Sequence, residues 1–538
     1  MSIAGPREQM NVAILHYHLN RGGVTRVIEN QLVSLDAVLD PQQRWRVAVL
    51  YGGRQAGWGE DVAQRIDALD FSLCEVPLLD YDTVRADVDG NDAHSTEPLF
   101  SQLTAALDDL GFAPQQTVLH VHNHSLGKNR CLPRVVAQLA EAGYAVLLQV
   151  HDFAEDFRPE NYGNIGDPGS AGLYPQGPAI HYAVLNGRDH GVLADAGVAP
   201  QRLHLLPNPT PPIDGLPPKS DAREKLRQLF DVAPTDRFLL YPVRCIRRKN
   251  VGEALLYSAL APPGTVVGLT LPPLNPLELS IYEEWQWLAT ELGLPCRFSV
   301  GGSTASLAVG GAGLSFPENL AAADGILTTS LAEGFGMAFL ESSQAGHVLL
   351  GRDLPEITRD FVEMGMRFDW LRPELRVPVE WVGSDVRESL VELYRCSLET
   401  YDRPMPSDLA EQLEVRVADG LVDFGDLDEQ QQEQVLRAVC ESSAARRRVV
   451  QLNESIDEAL SIDADSVLAV GGTAAAVIES NARCIDEHLS PDPSGRRLRQ
   501  LYEQVAVEPR AARPEPLRAP QRILDRFLDF RRFRPIRS

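Results

Sequence analysis

Lysine is scarce in this sequence of 538 residues, occurring only as Lys128, Lys219, Lys225 and Lys249. A lysine beside a chemically suggestive motif is therefore informative. Basic residues number 50 against 75 acidic ones, and the net charge of −25 argues against nucleic acid as a partner because it repels phosphate backbones. The seven cysteines form no CxxC pair, which argues against a zinc site or a disulfide framework, so no metal is expected.

Long apolar runs are also lacking. No segment approaches the roughly 20 apolar residues of a membrane-spanning helix. The N-terminus has neither the basic region nor the apolar region of a signal peptide, and we expect a cytoplasmic protein. The hydrophobic content of 44% and the charged content of 23% are ordinary for a globular protein.

Short apolar runs alternate with helical patterns along the chain, which is typical of parallel sheets with crossover helices. The Pro-rich stretch 209–220 interrupts this alternation and predicts a linker. Beyond about residue 380, helical patterns predominate. The predicted parts of the chain are an N-terminal Rossmann-like domain (1–212), a C-terminal Rossmann-like domain (213–380), a helical extension (381–506), and a tail with a C-terminal helix (507–538).

The segment 330–346, SLAEGFGMAFLESSQAG, follows a predicted strand and contains a Gly-rich turn that opens a helix. Such a turn presents backbone N–H groups and the positive end of a helix dipole to an anion. Glu333 and Glu341 lie roughly 12 Å apart along a helix, which is too far for the carboxylate pair of a glycosidase. A capped helix with a solvated glutamate explains this stretch equally well.

Four cations lie within six residues of the segment 239–260, directly after another predicted strand: Arg244, Arg247, Arg248 and Lys249. Guanidinium and ammonium groups at the carboxyl end of a strand suit a diphosphate. A solvated basic loop is the alternative.

Two features of the N-terminal half have weaker signals. Gly22 and Gly23 follow the first predicted strand and resemble a phosphate loop, although the GxGxxG pattern is absent. His151 stands at the end of another strand, where it could donate a hydrogen bond to a sugar or serve as a structural histidine.

Together these motifs resemble the retaining glycosyltransferases of the GT-B fold, closest to glycosyltransferase family 4, over residues 10–360. The features that carry the resemblance are the Gly22-Gly23 loop, the strand end at His151, the passage 181–210, the spacing of Arg244 and Lys249, the E-x7-E motif EGFGMAFLE, and LPEI at 354–357. The fold class it implies is α/β, with two Rossmann-like domains facing a central cleft and a helical C-terminal extension.

The resemblance also implies roles for single residues. Arg244 and Lys249 would neutralise the donor diphosphate, and Glu341 would hold the nucleotide ribose. The groups implied to contact the donor sugar or its phosphates are Glu333, Gly334, Phe335, Gly336, Met337, Gly22 and Gly23, with His151 facing the sugar. The implied donor is a UDP-, GDP- or ADP-sugar, and no cofactor or metal is required.

The long Gly/Pro-rich loop 152–180 follows His151, and we expect it to shape the acceptor site through Arg158, Asn161 and Tyr162. The predicted function is transfer of a hexose to a hydroxyl acceptor, which we expect to be small and soluble, with retention of anomeric configuration. A GT-B-fold epimerase or phosphorylase is the alternative enzyme, and a homo-oligomer stays open.

The arginine-rich C-terminal helix leaves one further alternative open. Its apolar side could bind a membrane surface, which would suit a lipid acceptor. Packing of this helix against the N-terminal domain is the favoured interpretation.

Overall fold

The computed structural model describes residues 9–40, 44–85, 95–165, 172–302, 313–383, 385–462, 472–508 and 513–537. The chain divides into two compact units. Unit 1 comprises Met1–Pro211 with Asp486–Asp529, and unit 2 comprises Pro212–Ile485 with Phe530–Ser538. The helical region predicted over 381–506 is thus divided between the two units.

Strands and helices alternate through the first 205 residues, as the sequence pattern predicted. They are β1 (Gln9–His16), α1 (Gly23–Asp36), β2 (Arg44–Tyr51), β3 (Leu69–Glu75), α2 (Asp82–Arg85), α3 (Glu97–Asp109), β4 (Thr117–His122), α4 (Leu132–Glu141), β5 (Ala145–Val150), α5 (Pro159–Ile165), β6 (Pro175–Gln176), β7 (Ile180–Val184), α6 (Gly187–Ala196) and β8 (Leu203–Leu205).

The alternation resumes after the Pro-rich stretch. The elements there are α7 (Lys219–Phe230), β9 (Arg237–Arg244), α8 (Val251–Leu260), β10 (Thr265–Leu271), α9 (Pro276–Glu291), β11 (Cys296–Arg297), α10 (Phe316–Ala322), β12 (Gly325–Thr328), α11 (Met337–Gln344), β13 (Leu349–Arg352), α12 (Pro355–Glu363) and β14 (Leu371–Arg372).

Helices predominate in the remainder of the chain. Its elements are β15 (Arg376–Pro378), α13 (Val386–Glu399), α14 (Leu409–Arg416), β16 (Leu421–Asp423), α15 (Glu429–Glu441), α16 (Ser443–Leu452), α17 (Ser455–Ser461), α18 (Thr473–His488), α19 (Pro491–Ala506), β17 (Glu515–Pro516) and α20 (Gln521–Phe527).

Unit 1 is built on a parallel sheet whose strand order, within the described residues, is β3-β2-β1-β4-β5-β7-β8. The central strands β4 and β5 are buried along their whole length, as expected for a sheet covered by helices on both faces. Helix α19 packs on α1, and α20 packs on α6. Tyr502 of α19 is fully buried and its hydroxyl lies 2.7 Å from His120 Nδ1 of β4.

Unit 2 is built on a second parallel sheet, with the order β11-β10-β9-β12-β13-β14 among the residues described. Helix α15, from the helical region, packs on α8. Each unit thus has a Rossmann-like sheet of its own, which confirms the predicted α/β fold class of two Rossmann-like domains with C-terminal helices. Because parallel strands share one carboxyl edge, β9 and β12 deliver their following turns side by side.

The apolar residues of the C-terminal helix are buried within the protein. Ile523 and Phe527 of α20 are fully buried, and Leu524 and Leu528 are only 4% exposed. In the part of the chain that the structure describes, no helix has the length and apolar character needed to cross a bilayer.

Candidate functional site

The turn after β9 places the basic residues of unit 2. A 3-10 turn, Arg247–Lys249, ends at Asn250, whose φ of +51° is in the left-handed region that asparagine tolerates better than most residues. The Asn250 amide donates to Glu253 Oε2 at 2.6 Å and accepts from Gln432 Nε2 at 3.0 Å. These bonds fix the point at which α8 begins and therefore the direction of Lys249.

The turn after β12 contains Glu333, the first residue of the E-x7-E motif, and ends at Gly336. Gly336 has φ +87°, and a Cβ at this position would lie 2.6 Å from Cδ2 of Phe339 and 3.0 Å from Cγ2 of Ile357. Only glycine fits this backbone, and as the N-cap of α11 it offers no side chain to the first helical N–H groups. The helix therefore starts without a side-chain cap, as the sequence motif predicted for an anion site.

The two turns meet through a carboxylate and two cations. Lys249 Nζ donates to Glu333 Oε1, and both side chains are only 12% exposed. Arg248 Nη1 lies 3.5 Å from Glu333 Oε2 and donates to the carbonyl of Ala332 at 2.6 Å. We call Lys249, Arg248, Glu333 and the backbone from Gly334 to Met337 the basic turn. Its three charged side chains have a net charge of +1.

Backbone and hydroxyl contacts hold the basic turn together. The Tyr241 hydroxyl donates to the Lys249 carbonyl at 2.7 Å and lies 3.0 Å from Ser330 Oγ. Thr329 Oγ1 donates to the same carbonyl at 3.0 Å. The Leu331 N–H donates to the Arg248 carbonyl at 2.9 Å. Sequence reasoning missed Tyr241, Thr329 and Ser330, since the contacts of Thr329 with Lys249 and of Ser330 with Tyr241 join residues 80 and 89 positions apart.

Burial and charge compete in the pKa values of the basic turn. Burial alone would raise the pKa of Glu333, but the charges of Lys249 and Arg248 outweigh it and the pKa is lowered. The pKa of Lys249 is lowered, because burial and the Arg248 charge outweigh the attraction of Glu333. Glu333 is therefore held ionised between two cations.

Glu341 lies on α11, two helical turns beyond Glu333. Burial and the Glu333 charge raise the pKa of its carboxyl to about 7, with Lys249 opposing them. At neutral pH this carboxyl exchanges readily between an acceptor-only form and a form that can also donate.

The other two cations of the basic segment contact different groups. Arg244, predicted to act beside Lys249, donates through Nη1 to the Pro272 carbonyl at 2.9 Å, and burial lowers the pKa of its guanidinium. Arg247 Nε donates to Glu429 Oε1 of α15 at 2.7 Å. Lys249 and Arg248 are thus the pair that converges on Glu333.

The remaining predicted donor residues belong to the turn itself. Phe335 is buried, with its ring edge-on to Phe361 at a centroid distance of 5.6 Å. Gly334 and Met337 are half-buried. Phe335 therefore anchors the turn in the core of unit 2, while Gly334 and Met337 are partly accessible.

In unit 1, Gly22 and Gly23 lie at the start of α1. Gly22 has an extended backbone that any residue adopts, and a Cβ on Gly23 would meet no atom of the described residues within 4 Å. The folded chain by itself therefore gives no steric reason for glycine at position 23.

His151 is buried at the end of β5. Its backbone N–H donates to Asn123 Oδ1 at 2.7 Å, and its Nε2 lies 2.8 Å from Nδ1 of His122. Burial lowers the pKa of His151 to about 4, so the imidazole is neutral at pH 7. One ring nitrogen is thus engaged by a second histidine.

The predicted acceptor residues lie on and beside the short helix α5. Arg158 Nη2 donates to Asp152 Oδ1 at 2.5 Å, next to His151 in sequence. Asn161 is buried and Tyr162 is half-buried. Residues 166–171 of the predicted acceptor loop lie outside the described residues.

Within the described ranges, no three His, Cys, Asp or Glu side chains are grouped so that they could hold a metal ion.

Comparison with known proteins adds sequence similarity to this geometry. No family model matches the chain. Over 363 residues the chain is 28% identical to the mannosylglucosyl-3-phosphoglycerate synthase of Petrotoga mobilis, a match covering 65% of this chain and 66% of that relative. The match therefore spans slightly less than two thirds of the length of that curated relative.

Solved structures give weaker similarity. Anabaena Alr3699/HepE, solved with UDP-glucose, has 15% sequence identity and a TM-score of 0.45, covering 84% of this chain and 99% of that one. WaaG, described as a glycosyltransferase of lipopolysaccharide biosynthesis, has 15% identity and a TM-score of 0.42, covering 88% and 99%.

Proposed function

We propose that this protein is a glycosyltransferase that moves a hexose from a nucleotide diphosphate sugar to a hydroxyl acceptor with retention of anomeric configuration. One observation carries the proposal: Lys249 and Arg248 converge on Glu333 in a Gly-rich turn that opens a helix. The similarity to a synthase of a glycosylated phosphoglycerate supports the same class of reaction.

The chemistry requires stabilisation of a leaving diphosphate. The bond between the anomeric carbon and the phosphate oxygen breaks, and negative charge grows on that oxygen. Cations and N–H dipoles that are already in position stabilise this charge without reorganising. In the proposal, Lys249 and the amides near Gly336 provide this stabilisation, and Arg244 supplies a second cation from the same strand end.

Glu333 has a positioning role toward Lys249 and a contact role toward the donor sugar. Because Glu333 holds the ammonium in place, Lys249 keeps its geometry before the donor binds. The net charge of +1 on the three charged side chains still attracts an anion.

Retention follows in this proposal from a same-face mechanism. The acceptor oxygen forms its bond to the anomeric carbon on the face that the diphosphate leaves, and the acceptor proton passes to the departing phosphate oxygen. No protein nucleophile is required. Glu341 holds the ribose hydroxyls, with a carboxyl that can ionise as it accepts their hydrogen bonds.

Residues of unit 1 take the acceptor and sugar contacts in the proposal. These are Gly22, Gly23, His151, Arg158, Asn161 and Tyr162. The open space among the described residues where a Cβ of Gly23 would lie supports a backbone that a ligand approaches closely. The phosphoglycerate in the relative's name supports a small soluble acceptor.

Product analysis tests the proposal. Incubation with UDP-, GDP- and ADP-hexoses and a panel of small hydroxyl acceptors, followed by NMR of the anomeric proton, should give a product with the donor's anomeric configuration. An inverted product contradicts the same-face mechanism. Nucleotide-sugar conversion without acceptor would favour an epimerase instead.

A further inference from the structure

The last residues of the chain carry a pattern that the proposed function does not use. Within FRRFRPIR, 530–537, apolar residues recur at every third position. Phe530, Phe533 and Ile536 are all buried, and the segment begins with the 3-10 helix Phe530–Arg532. A repeat of three residues matches the three residues per turn of that conformation, so one side of the segment is apolar and the arginines occupy the others.

This segment is fixed to unit 2. The Tyr394 ring packs against the rings of Phe530 and Phe533 at centroid distances of 4.9 and 5.2 Å. The Arg416 guanidinium lies over the Phe530 ring at 4.7 Å, and its Nη1 donates to the Phe530 carbonyl at 2.8 Å. The arginines of the segment are thereby held at defined positions.

These arginines form one wall of a cavity of about 280 Å³ within unit 2. Residues 352–356, from the end of β13 to the first turn of α12, also line the cavity, as does Leu331, which precedes the basic turn. A volume of this size is at the small end of the range for ligand sites, roughly 300–1,000 Å³. It suits a compound of a few carbons better than a nucleotide sugar.

The cavity is basic although the chain is strongly acidic. Its lining has five guanidinium groups against three carboxylates, in a protein with a net charge of −25. The arginines are Arg352, Arg531, Arg532, Arg534 and Arg537, and the acids are Asp353, Glu356 and Glu374.

Two of the arginines are held by buried acidic partners. Arg352 is 2% exposed and lies between Glu253 and Asp423, with Nη2 at 2.6 and 2.8 Å from their oxygens. Arg534 Nε lies 3.3 Å from Asp426. These bonds orient the guanidinium groups, which is what planar recognition of an oxyanion needs.

Arg534 is surrounded by charged groups of both signs. Burial lowers the pKa of its guanidinium, Asp426 and Asp423 raise it, and Arg416 and Arg352 lower it. Arginine binds phosphate in a bidentate geometry, so a guanidinium held at this cavity suits an oxyanion.

We propose that this cavity binds a phosphate monoester, separately from the donor diphosphate assigned to the basic turn. Arg531, Arg534 and Arg537 contact the phosphate oxygens from the C-terminal segment. The ligand is an ester of a small alcohol and not free phosphate, because the cavity extends from the arginines to the apolar side of Leu331 and Leu354.

Calorimetry with glycerol 3-phosphate, inorganic phosphate and glycerol tests this site. We expect glycerol 3-phosphate to bind, glycerol not to bind, and inorganic phosphate to bind more weakly. The double variant R531Q/R537Q should weaken glycerol 3-phosphate binding at least tenfold. Equal or tighter binding of inorganic phosphate would contradict the assignment of an ester.

Two control variants distinguish binding in this cavity from binding elsewhere on the protein. R522Q/R526Q removes two exposed arginines from α20 outside the cavity and should leave binding unchanged. K249M/E333Q alters the basic turn and should also leave glycerol 3-phosphate binding unchanged. Failure of the proposed function and failure of this site are therefore distinguishable. Loss of binding in either control overturns the proposal.

A second measurement applies if R531Q/R537Q does not fold. Glycerol 3-phosphate should slow hydrogen exchange of the wild-type amides in 530–537. Unchanged exchange at saturating ligand, or protection confined to 333–341, would overturn the proposal.

Discussion

Acidification should destabilise unit 1, because unit 1 buries a group of histidines in their neutral form. Burial lowers the pKa of His16, His120 and His124 to about 3, and that of His151 to about 4. In the unfolded chain each histidine returns to a pKa of about 6.5. The unfolded state therefore binds more protons between these values, and stability falls as the pH drops below 6.5 until it levels off near pH 3.

The size of the effect follows from the pKa differences. A histidine that must stay neutral in the fold lowers the free energy of unfolding by about 1.4 kcal/mol for each pH unit below 6.5. At pH 5 the loss is about 2 kcal/mol for each such histidine. The three groups with a pKa of about 3 together cost about 6 kcal/mol. This is comparable to the whole stability of many domains, about 5–15 kcal/mol.

Urea unfolding at pH 7, 6 and 5 measures this prediction through intrinsic tryptophan fluorescence, to which Trp45 and Trp58 of unit 1 contribute. The free energy of unfolding should decrease with a slope that reports uptake of about four protons by these histidines at pH 5. The variant H124Q, whose amide can still donate to the Leu173 carbonyl, should reduce that uptake by about one proton. A free energy of unfolding that is constant between pH 7 and 5 would refute the reasoning.

Three further predictions concern the candidate site. G336A should cost about 2 kcal/mol of unfolding free energy in a thermal melt, because of its φ of +87° and the contact with Phe339; an unchanged melt would contradict this. G23A should change stability by less than about 0.5 kcal/mol yet raise a substrate KM, and an unchanged KM would show that no ligand approaches this backbone. The pKa of Glu341, about 7, should fall when ribose hydroxyls donate hydrogen bonds to its carboxyl, so nucleotide-sugar affinity should rise from pH 6 to 8. E341Q should abolish this pH dependence. Calorimetry showing the same pH dependence in both proteins would contradict the role.

Much of the architecture could be predicted from the sequence, because buried parallel strands are continuous apolar runs. TVLHVH and AVLLQV are β4 and β5, buried at every position. The edge strand β3 was missed, since Leu69 is its one buried residue and its sequence, LDFSLCE, includes two acids. The two-residue strands β6, β14 and β17 are too short to give a period.

The candidate site was predictable where glycine and charge coincide in one segment. Gly336 is required by its backbone, and the Gly-rich turn after a predicted strand indicated the start of a helix. The pairing of Lys249 with Glu333 could not be read from either segment alone, because it joins turns 84 residues apart. The partner of Arg247 could not be predicted from the local sequence either, since Glu429 belongs to a helix distant in sequence.

The C-terminal segment shows the same dependence on tertiary context. The sequence predicted an amphipathic helix from its apolar and basic residues. Helix α20 ends at Phe527 and a short 3-10 helix, Phe530–Arg532, follows it, with Phe530 and Phe533 both buried in unit 2.

Calorimetric titration with UDP-, GDP- and ADP-sugars tests the central claim, that the turn joining Lys249 and Glu333 binds a diphosphate. The wild type should bind at least one of the three, and R247M, which removes a neighbouring cation bound to Glu429, should bind it equally well. K249M/E333Q removes both charges of the buried pair together, so no unpaired charge is left, and should lose affinity at least tenfold, or about 1.4 kcal/mol. No heat with any of the three sugars, or equal affinity in K249M/E333Q, would contradict the claim.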